Sequence, residues 1–299
     1  MANELNFPAS SARSIFQITD NSDILIQLAL AEDIGEGDVT SRYFIPDDRR
    51  ARAFVAARRD GVVSGVEMAA RVFCTVDPEL DVEILIPDGN RVGPGALLIR
   101  VEGSARAILT AERTALNFLQ RLSGVATLTA RYIEEVKGTN TRILDTRKTT
   151  PGYRLLEKQA VVHGGGTNHR IGLYDRAMVK DNHLVAEGGP EALQAAILKL
   201  KSEKPEVEVE LEADNLEQVR IFLTMEGVDY VLLDNMSVEE LSEAIEMRGD
   251  RSKPLFEASG GITLGTLREI AKTGVDFISV GALTHSAPAL DLGLDFETL

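Results

Sequence analysis

The chain has 299 residues, a formal net charge of −15 and a pI of about 4.8. A nucleic-acid partner is therefore not expected, because phosphate backbones need a broad positive surface. Hydrophobic residues make up 44% without a long apolar run, and the N-terminus lacks a basic start and an apolar core. Neither a membrane span nor a signal peptide is predicted. The single cysteine, Cys74, excludes an intrachain disulfide, so these features together predict a cytoplasmic protein.

The N-terminal part of the chain predicts one helix followed by a small sheet. The helix covers DILIQLALAE (residues 23–32), and the glycine–acid segment after it is expected to be a turn. An EF-like calcium loop is a poor alternative, because that segment lacks the alternating oxygen ligands and the closing glutamate. Short β-rich runs from Ala51 to Val101 alternate with turn signals and predict a sheet with a hairpin. A lipoyl- or biotin-carrier role is excluded, since the first lysine of the chain is Lys137.

A helical stretch follows the predicted sheet. Ser104 is expected to cap ARAILTAERTALNFLQRL, whose apolar residues recur at helical spacing. Gly124 is expected to interrupt this helix, and a second helix would continue to about Lys137. We expect the domain boundary near residue 120. From its pattern alone, Arg113 would be a surface residue of this helix.

After Gly138 the pattern becomes a repeated alternation of apolar β-like runs and helices. Such alternation predicts a parallel sheet with right-handed crossovers, closed or nearly closed into a barrel. Asp214, Ser237 and Thr263 are the expected N-caps of the later helices. The predicted strands are RILDT, AMVK, VEVEL, VDYVLLD, KPLFEAS and VDFISVG.

Polar and glycine residues recur where these strands end. In a parallel barrel the carboxyl ends of all strands face one rim, where ligands bind. Separate salt bridges or helix caps would explain each residue alone, but the equivalent positions favour one shared site. The residues at the expected rim are Arg147, Lys148, Lys180, Glu210, Asp234, Ser259, Gly260, Gly261 and Gly281.

Residues 147–183 concentrate positive charge in an acidic protein. They contain seven Lys or Arg against three acids, with three of the four histidines and the run GGG (164–166). A solvated basic face is the alternative, but the interleaved Gly and Thr favour a pocket for a small polyanion. Glu210 and Asp234 are suited to Mg²⁺, and the glycine turns offer N–H groups to phosphate. Neither glycine run matches a Walker or dinucleotide motif.

These residues carry a family resemblance. DTRKTTPG (145–152), GGGTNHR (164–170) and KDNH (180–183) resemble quinolinate phosphoribosyltransferase, also called nicotinate-nucleotide pyrophosphorylase (carboxylating). The likeness continues in order along nearly the whole chain. Its further segments are EDIGEGDVT, AERTALNFLQRLSG, LEKQAV, VEVE, LLDNM, SGGI and SVGALTHS.

The resemblance implies an α/β fold with two domains. An N-terminal α/β sandwich would cover residues 1–120, and an open, incomplete α/β barrel would cover residues 121–286. The tail, residues 287–299, would return to the N-terminal domain. The resemblance also implies a homodimer whose sites are completed by Arg113 from the neighbouring subunit, with higher oligomers left open.

The implied reaction joins quinolinate to phosphoribosyl pyrophosphate and releases CO₂ and pyrophosphate, giving nicotinate mononucleotide in de novo NAD biosynthesis. Mg²⁺ near Glu210 and Asp234, directly or through water, would accompany the sugar phosphate, and no organic cofactor is implied. The implied catalytic residues are Lys148, Lys180, Glu210 and Asp234. The implied substrate-binding residues are Arg113, Thr146, Arg147, Lys148, His169, Arg170, Lys180, Glu210, Asp234, Ser259, Gly260, Gly261, Val280, Gly281 and Ala282.

Three other functions remain open from the sequence. A relative of the same fold could act on nicotinate or on a molybdenum-linked, pyridine-like acid. Lys180 at a strand end could instead form a Schiff base, as in barrel aldolases. A non-catalytic sensor would bind phosphoribosyl pyrophosphate without releasing pyrophosphate. His163 either packs beside the glycine turn or contributes to the site, and His285 is expected to be structural.

Overall fold

The structure is a computed structural model that describes residues 22–180 and 189–297. The described helices are α1 (Ser22–Ile34), α2 (Val39–Phe44), α3 (Val66–Val76), α4 (Ala105–Glu135), α5 (Arg154–His163), α6 (Pro190–Glu203), α7 (Leu216–Phe222), α8 (Val238–Arg248), α9 (Leu264–Lys272) and α10 (Ala282–His285). The described strands are β1 (Arg50–Ala57), β2 (Gly61–Val62), β3 (Asp81–Ile84), β4 (Arg91–Val92), β5 (Leu97–Ser104), β6 (Arg142–Leu144), β7 (Arg176–Val179), β8 (Glu208–Ala213), β9 (Tyr230–Asp234), β10 (Leu255–Ser259), β11 (Phe277–Ser279) and β12 (Leu292–Phe296).

An antiparallel sheet forms the N-terminal part of the molecule. Its strand order is β12-β1-β5-β3, and β1 buries alternate residues, as a strand with one covered face does. Helix α3, which the sequence analysis did not predict, supplies Ala69, Val72 and Phe73 to the core. One of the β-rich runs predicted as strands between Ala51 and Val101 is GVVSGV (residues 61–66), but only its first two residues pair. Gly65, with φ of 97°, then turns the chain into α3.

The C-terminal segment joins this N-terminal sheet. Strand β12 pairs antiparallel with β1, and Ala53 lies opposite Phe296. The chain therefore leaves the parallel sheet after α10 and crosses back over the long helix α4. Both ends of the described chain lie in the same part of the molecule.

Helix α4 runs unbroken for 31 residues. Ser104 caps it as predicted, with its side chain accepting a hydrogen bond from the Ala107 N–H. The predicted interruption at Gly124 is wrong. A Cβ at Gly124 would lie 2.1 Å from the Pro288 carbonyl oxygen, so the glycine lets the returning C-terminal segment lie directly on the helix.

The second sheet is entirely parallel and open. Its order is β6-β11-β10-β9-β8-β7, and each described neighbouring pair is parallel. Among the described residues the edge strands β6 and β7 do not pair with each other, so the barrel is incomplete. The predicted α/β fold with an open barrel and a separate N-terminal sheet is confirmed.

The helices between these strands begin at ordinary caps. Ser237 forms a capping box with Glu240, and Thr263 is the N-cap of α9, both as predicted. The prediction of Asp214 as a cap is wrong by one residue. Asn215 caps α7 by accepting a hydrogen bond from the Gln218 N–H at 3.0 Å. No helix in the described part of the chain is both long enough and apolar enough to cross a membrane.

Candidate active site

A cavity of about 630 Å³ opens where the strands of the parallel sheet end. The register places Asp234 beside Ser259, and Ala258 beside Ile278, so the ends of β9, β10 and β11 lie level. Side chains of the same face at these ends therefore meet at one mouth. The residues that line the cavity are Thr146, Arg147, Lys148, His169, Arg170, Met178, Lys180, Glu212, Leu232, Asp234, Asn235, Glu257, Ser259, Gly260, Gly261 and Ser279.

The structure gathers most of the residues that the sequence assigned to a site. Their strands and loops are far apart in the chain but end at the same rim. The assigned residues that line the cavity are Thr146, Arg147, Lys148, His169, Arg170, Lys180, Asp234, Ser259, Gly260 and Gly261.

One side of the mouth is cationic. We call Arg147, Lys148, Arg170 and Lys180 the cationic lobe. Lys180 forms an ion pair with Glu212. Among the described residues, no carboxylate forms an ion pair with the other three members. Burial, together with the nearby charge of Arg147, lowers the pKa of Arg170. The lobe therefore holds positive charge that an anionic ligand would neutralise.

The rim position expected for Glu210 is wrong. Its side chain is fully buried inside the barrel and does not line the cavity. Strand β8 extends to Ala213, so Glu212, on the same face and one step nearer the mouth, takes the expected position. Glu212 pairs with Lys180 across the strand ends.

A buried cluster of His169, Glu210 and Glu257 lies beneath the cationic lobe. His169 Nε2 lies 3.2 Å from Glu210 Oε2 and 3.3 Å from Glu257 Oε2. Burial opposes a charged ring, but the two carboxylates outweigh it and raise the pKa of His169 to about 9. Burial and the charge of Glu210 raise the pKa of Glu257.

These three residues could also hold a metal ion by their spacing. The surrounding contacts favour a proton instead. Arg176 Nη1 lies 3.5 Å from Glu210 Oε2, and so already supplies a cation to that carboxylate. The Arg170 backbone nitrogen lies 2.6 Å from His169 Nδ1 and donates its N–H to that atom, as in a ring protonated at Nε2 alone. The two carboxylates favour a ring protonated at both nitrogens. Both states keep a proton on Nε2, facing the carboxylates.

The opposite side of the mouth combines carboxylates with a glycine turn. We call Glu212, Asp234 and the turn Ser259-Gly260-Gly261 the acidic lobe. Asn235 donates from Nδ2 to Asp234 Oδ2 at 2.7 Å. Gly260 has φ of 96°, and a Cβ there would lie 2.2 Å from Asn235 Oδ1. Only glycine fits at this position, so the turn can present backbone to a ligand.

Val280, Gly281 and Ala282 were also assigned to substrate binding, and the structure places them beside the cavity rather than in its lining. Val280 is buried. A Cβ at Gly281 would lie 3.0 Å from Lys148 Cδ and 3.2 Å from His285 Nε2. The Lys148 side chain therefore extends from the cationic lobe toward the Gly281 turn.

Arg113 lies apart from this cavity, exposed on α4. A role for Arg113 thus needs a second copy of the chain, as the resemblance implies. Asp181, Asn182 and His183 of the KDNH motif lie outside the described residues. His163 Nδ1 lies 2.9 Å from Ser64 Oγ, so this histidine joins the N-terminal part to α5 instead of lining the cavity.

Sequence reasoning missed several lining residues. Glu212 lies two positions after Glu210, and Glu257 lies two positions before Ser259. Residues two positions apart on a strand share a face, so this alternation could have identified both glutamates. Asn235 directly follows Asp234. Met178 and Leu232 form the apolar part of the lining. In the sequence they look like any other apolar residue of a strand, so no pattern indicates that they face a cavity.

The chain is similar to known proteins in both sequence and structure. The sequence matches the family described as quinolinate phosphoribosyl transferase, C-terminal domain, over residues 125–295 and N-terminal domain over residues 38–123. A relative from Nicotiana glauca, named quinolinate phosphoribosyltransferase (decarboxylating) 2, mitochondrial, is 43% identical over 92% of this chain and 82% of its own length. A nicotinate-nucleotide pyrophosphorylase (carboxylating) from Mycobacterium leprae is 41% identical over 90% of this chain and 95% of its own. The solved nicotinate-nucleotide pyrophosphorylase of Francisella tularensis superposes with a TM-score of 0.85 at 39% identity, covering 93% and 98% of the two chains.

Proposed function

The chain belongs to the quinolinate phosphoribosyltransferase family, and we propose that Arg147, Arg170 and Lys180 of its cationic lobe bind quinolinate, while Lys148 and the acidic lobe bind phosphoribosyl pyrophosphate. The enzyme is a decarboxylating pentosyltransferase of NAD biosynthesis. It converts quinolinate and phosphoribosyl pyrophosphate into nicotinate mononucleotide, CO₂ and pyrophosphate.

The charge imbalance of the mouth is the single observation that carries the proposal. Arg147, Lys148 and Arg170 line one cavity without an ion-pair partner among the described residues. The protein as a whole carries a net charge of −15, so an excess of basic residues over the whole chain does not explain these unpaired cations. A planar diacid with adjacent carboxylates is a suitable partner, because guanidinium groups bind carboxylates with paired hydrogen bonds.

Binding of the diacid orients the pyridine ring for reaction. Arg147, Arg170 and Lys180 would hold the two carboxylates, and His169 lies directly below them with its Nε2 proton facing inward. The ring nitrogen is then directed toward C1 of the sugar phosphate, which replaces a random encounter by a fixed approach. Once the nitrogen is alkylated and pyrophosphate has left C1, the positive charge of the ring stabilises the carbanion left at C2 when CO₂ departs. Uptake of a proton from solvent at C2 then gives nicotinate mononucleotide.

The acidic lobe is suited to the sugar phosphate. The glycine turn at Gly260 exposes backbone N–H groups beside a helix start, an arrangement that binds phosphate in barrels. Lys148 extends toward Gly281 and would neutralise charge that develops on the leaving pyrophosphate. This assigns Lys148 to the phosphate side of the reaction.

Mg²⁺ fits the acidic lobe and does not fit Glu210. Glu212 and Asp234 both present carboxylate oxygens to the cavity, the donor type that a hard cation needs. Glu210 is buried, and its Oε2 already lies against both His169 Nε2 and Arg176 Nη1, away from the cavity. Mg²⁺ held by the two cavity carboxylates would supply charge neutralisation to the pyrophosphate of the bound substrate.

A homodimer with shared sites completes the proposal. Arg113 is exposed on α4 and lies outside the cavity of its own chain, so it is available to the site of a second copy. Mixing an Arg113→Ala chain with a Lys180→Ala chain should restore part of the activity, because each heterodimer contains one intact site. No recovery on mixing would contradict the shared site.

The cytoplasmic location predicted from the sequence remains part of the proposal. Several plant relatives carry mitochondrial or chloroplastic in their names. Fractionation of the source cells, with an antibody against this chain, would decide its compartment.

One alternative function meets a specific obstacle in the structure. A Schiff base at Lys180 needs an amine free to attack a carbonyl, whereas the Lys180 amine is held in an ion pair with the carboxylate of Glu212. Borohydride should therefore trap no substrate on Lys180.

The activity itself is tested with carboxyl-labelled quinolinate. The purified enzyme should release pyrophosphate and labelled CO₂ in equal amounts from quinolinate and phosphoribosyl pyrophosphate, and none from nicotinate. Pyrophosphate released with nicotinate would identify a relative acting on another acid. Binding of phosphoribosyl pyrophosphate without any release would identify a sensor.

A further inference from the structure

A fully buried ion pair lies behind the cationic lobe. Lys158 of α5 is 2% exposed and Asp145, directly after β6, is 0% exposed, and the two side chains are in contact. Neither lines the cavity, so neither touches a substrate. A buried ion pair is seldom a net source of stability, because removing both charges from water costs about as much as their attraction returns. The pair therefore needs another explanation.

The ion pair holds the main chain of His169 from both sides. Lys158 Nζ donates to the His169 carbonyl oxygen at 2.9 Å, and Asp145 Oδ1 accepts from the His169 N–H at 2.9 Å. Asp145 immediately precedes Thr146 and Arg147, whereas Arg170 immediately follows His169. The pair thus joins the two segments that carry the cationic lobe.

Arg154 repeats this connection one turn earlier on the same face of α5. Its Nη1 donates to the Ile171 carbonyl oxygen at 3.0 Å, just beyond Arg170. Its Nε donates to Thr149 Oγ1 at 3.1 Å, and its Nη2 to the Arg147 carbonyl oxygen at 3.4 Å. Two successive turns of one helix therefore hold both segments, through backbone carbonyl groups and through the side chains of Asp145 and Thr149.

We propose that Lys158 and Arg154 are positioning residues that hold Arg147 and Arg170 at the separation that fits the two carboxylates of quinolinate. The physical need is clear from the charges. Arg147 and Arg170 are near enough for the charge of one to act on the other, and neither forms an ion pair with a carboxylate of the described residues. Like charges on mobile loops would move apart, which would leave the receptor too wide in the free enzyme.

This role rests on the assignment of the cationic lobe to quinolinate. It predicts a selective effect, because α5 makes these contacts only to the two segments of that lobe. The acidic lobe is built on β8, β9 and β10, and Asp234 and Ser259 are held by strand pairing instead. Loss of the helix contacts should therefore weaken quinolinate recognition more than recognition of the sugar phosphate.

The test replaces the charged pair with apolar side chains. Lys158→Met/Asp145→Leu removes both charges together, so no buried charge remains unpaired and the fold should persist. Arg154→Met is the second variant. If the double variant does not fold, Arg154→Met by itself tests the positioning role. Lys201→Met is the matched control, since Lys201 of α6 likewise binds a buried carboxylate, Asp229, and a backbone carbonyl, but not at the mouth.

Steady-state kinetics with each substrate varied in turn provides the readout, together with the melting temperature. We expect KM for quinolinate to rise about tenfold or more in the folded variants, because small misplacement of binding groups has large kinetic effects. KM for phosphoribosyl pyrophosphate should stay within about twofold, and the control should match the wild type in both. An unchanged KM for quinolinate, or equal increases in both KM values, would overturn the positioning role. A wild-type enzyme that does not turn over quinolinate would instead overturn the proposed function.

Discussion

Arg170→Ala tests the cationic lobe most sharply. Arg170 lines the cavity and has no carboxylate partner among the described residues, so its charge is available to a ligand without breaking an existing ion pair. Lys180 differs, because it must first leave Glu212. Arg170→Ala should therefore weaken quinolinate binding more than Lys180→Ala does.

The expected magnitude follows from charge and burial. A hydrogen bond to a charged group contributes about 1.5–3 kcal/mol. Two unit charges about 4 Å apart near a protein surface interact by about 4 kcal/mol. The relief of repulsion from Arg147 in the free enzyme reduces the loss. A loss of about 2–4 kcal/mol remains, which raises Kd about 30- to 1000-fold.

Isothermal titration with quinolinate measures this change. Arg142→Ala is the control, since Arg142 lies at the start of β6, away from the mouth, with its guanidinium carbon 4.6 Å from the Phe277 ring centroid. The melting temperature of Arg170→Ala should not fall much, because the substitution removes one like charge along with a single hydrogen bond to the Arg176 carbonyl oxygen. A Kd within about threefold of wild type, or an equal loss in the control, would refute the reasoning.

Three further predictions test other parts of the structure. The pKa of His169 is raised to about 9, so its positive charge is present at neutral pH and is lost as pH rises. The kcat/KM for quinolinate should therefore fall as pH passes about 9, and a His169→Asn profile should lack this step. Glu212→Gln should lower kcat about tenfold or more and raise the Mg²⁺ concentration for half-maximal rate, and an unchanged Mg²⁺ dependence would exclude it as a ligand. Gly124→Ala should lower the free energy of unfolding in urea by about 1–3 kcal/mol through its clash with Pro288. Gly265→Ala in α9 should not, because its Cβ would meet Thr263 Oγ1 at an ordinary contact distance of 3.8 Å.

Much of the fold follows from sequence periodicity. Apolar runs alternating with capped helices specify a parallel sheet, and such a sheet brings its strand ends to one rim. Arg147, Lys180, Asp234 and Ser259 were therefore placed at one mouth from their positions after apolar runs. The incompleteness of the barrel did not follow from the alternation, because it depends on which strands pair, and that expectation came from the family resemblance.

Depth along a strand was the main limit at the site. Strand β8 carries acids at Glu208, Glu210 and Glu212, all on one face, and periodicity gives the face without giving the distance from the rim. Strand β8 extends two residues further than its apolar pattern indicated, so Glu212, and not Glu210, lies at the rim. Glu210 lies deeper in the barrel, where it contacts His169.

Long-range contacts were the second limit. Gly124 has the local character of a helix breaker, but its function is set by the approach of Pro288, distant in sequence. The pairing of Lys158 with Asp145 and with the backbone of His169 likewise appears only after the chain has folded. No local pattern marks a lysine that will be buried behind a binding site.

The central claim is that one mouth binds a pyridine diacid on its cationic side and a sugar phosphate on its acidic side. A crystal structure of the enzyme with bound quinolinate tests it most directly. We expect the two carboxylates to contact Arg147 and Arg170, with the ring nitrogen facing Asp234 across the cavity. Quinolinate bound at any other surface, or held with its carboxylates against the turn at Gly260, would contradict this assignment.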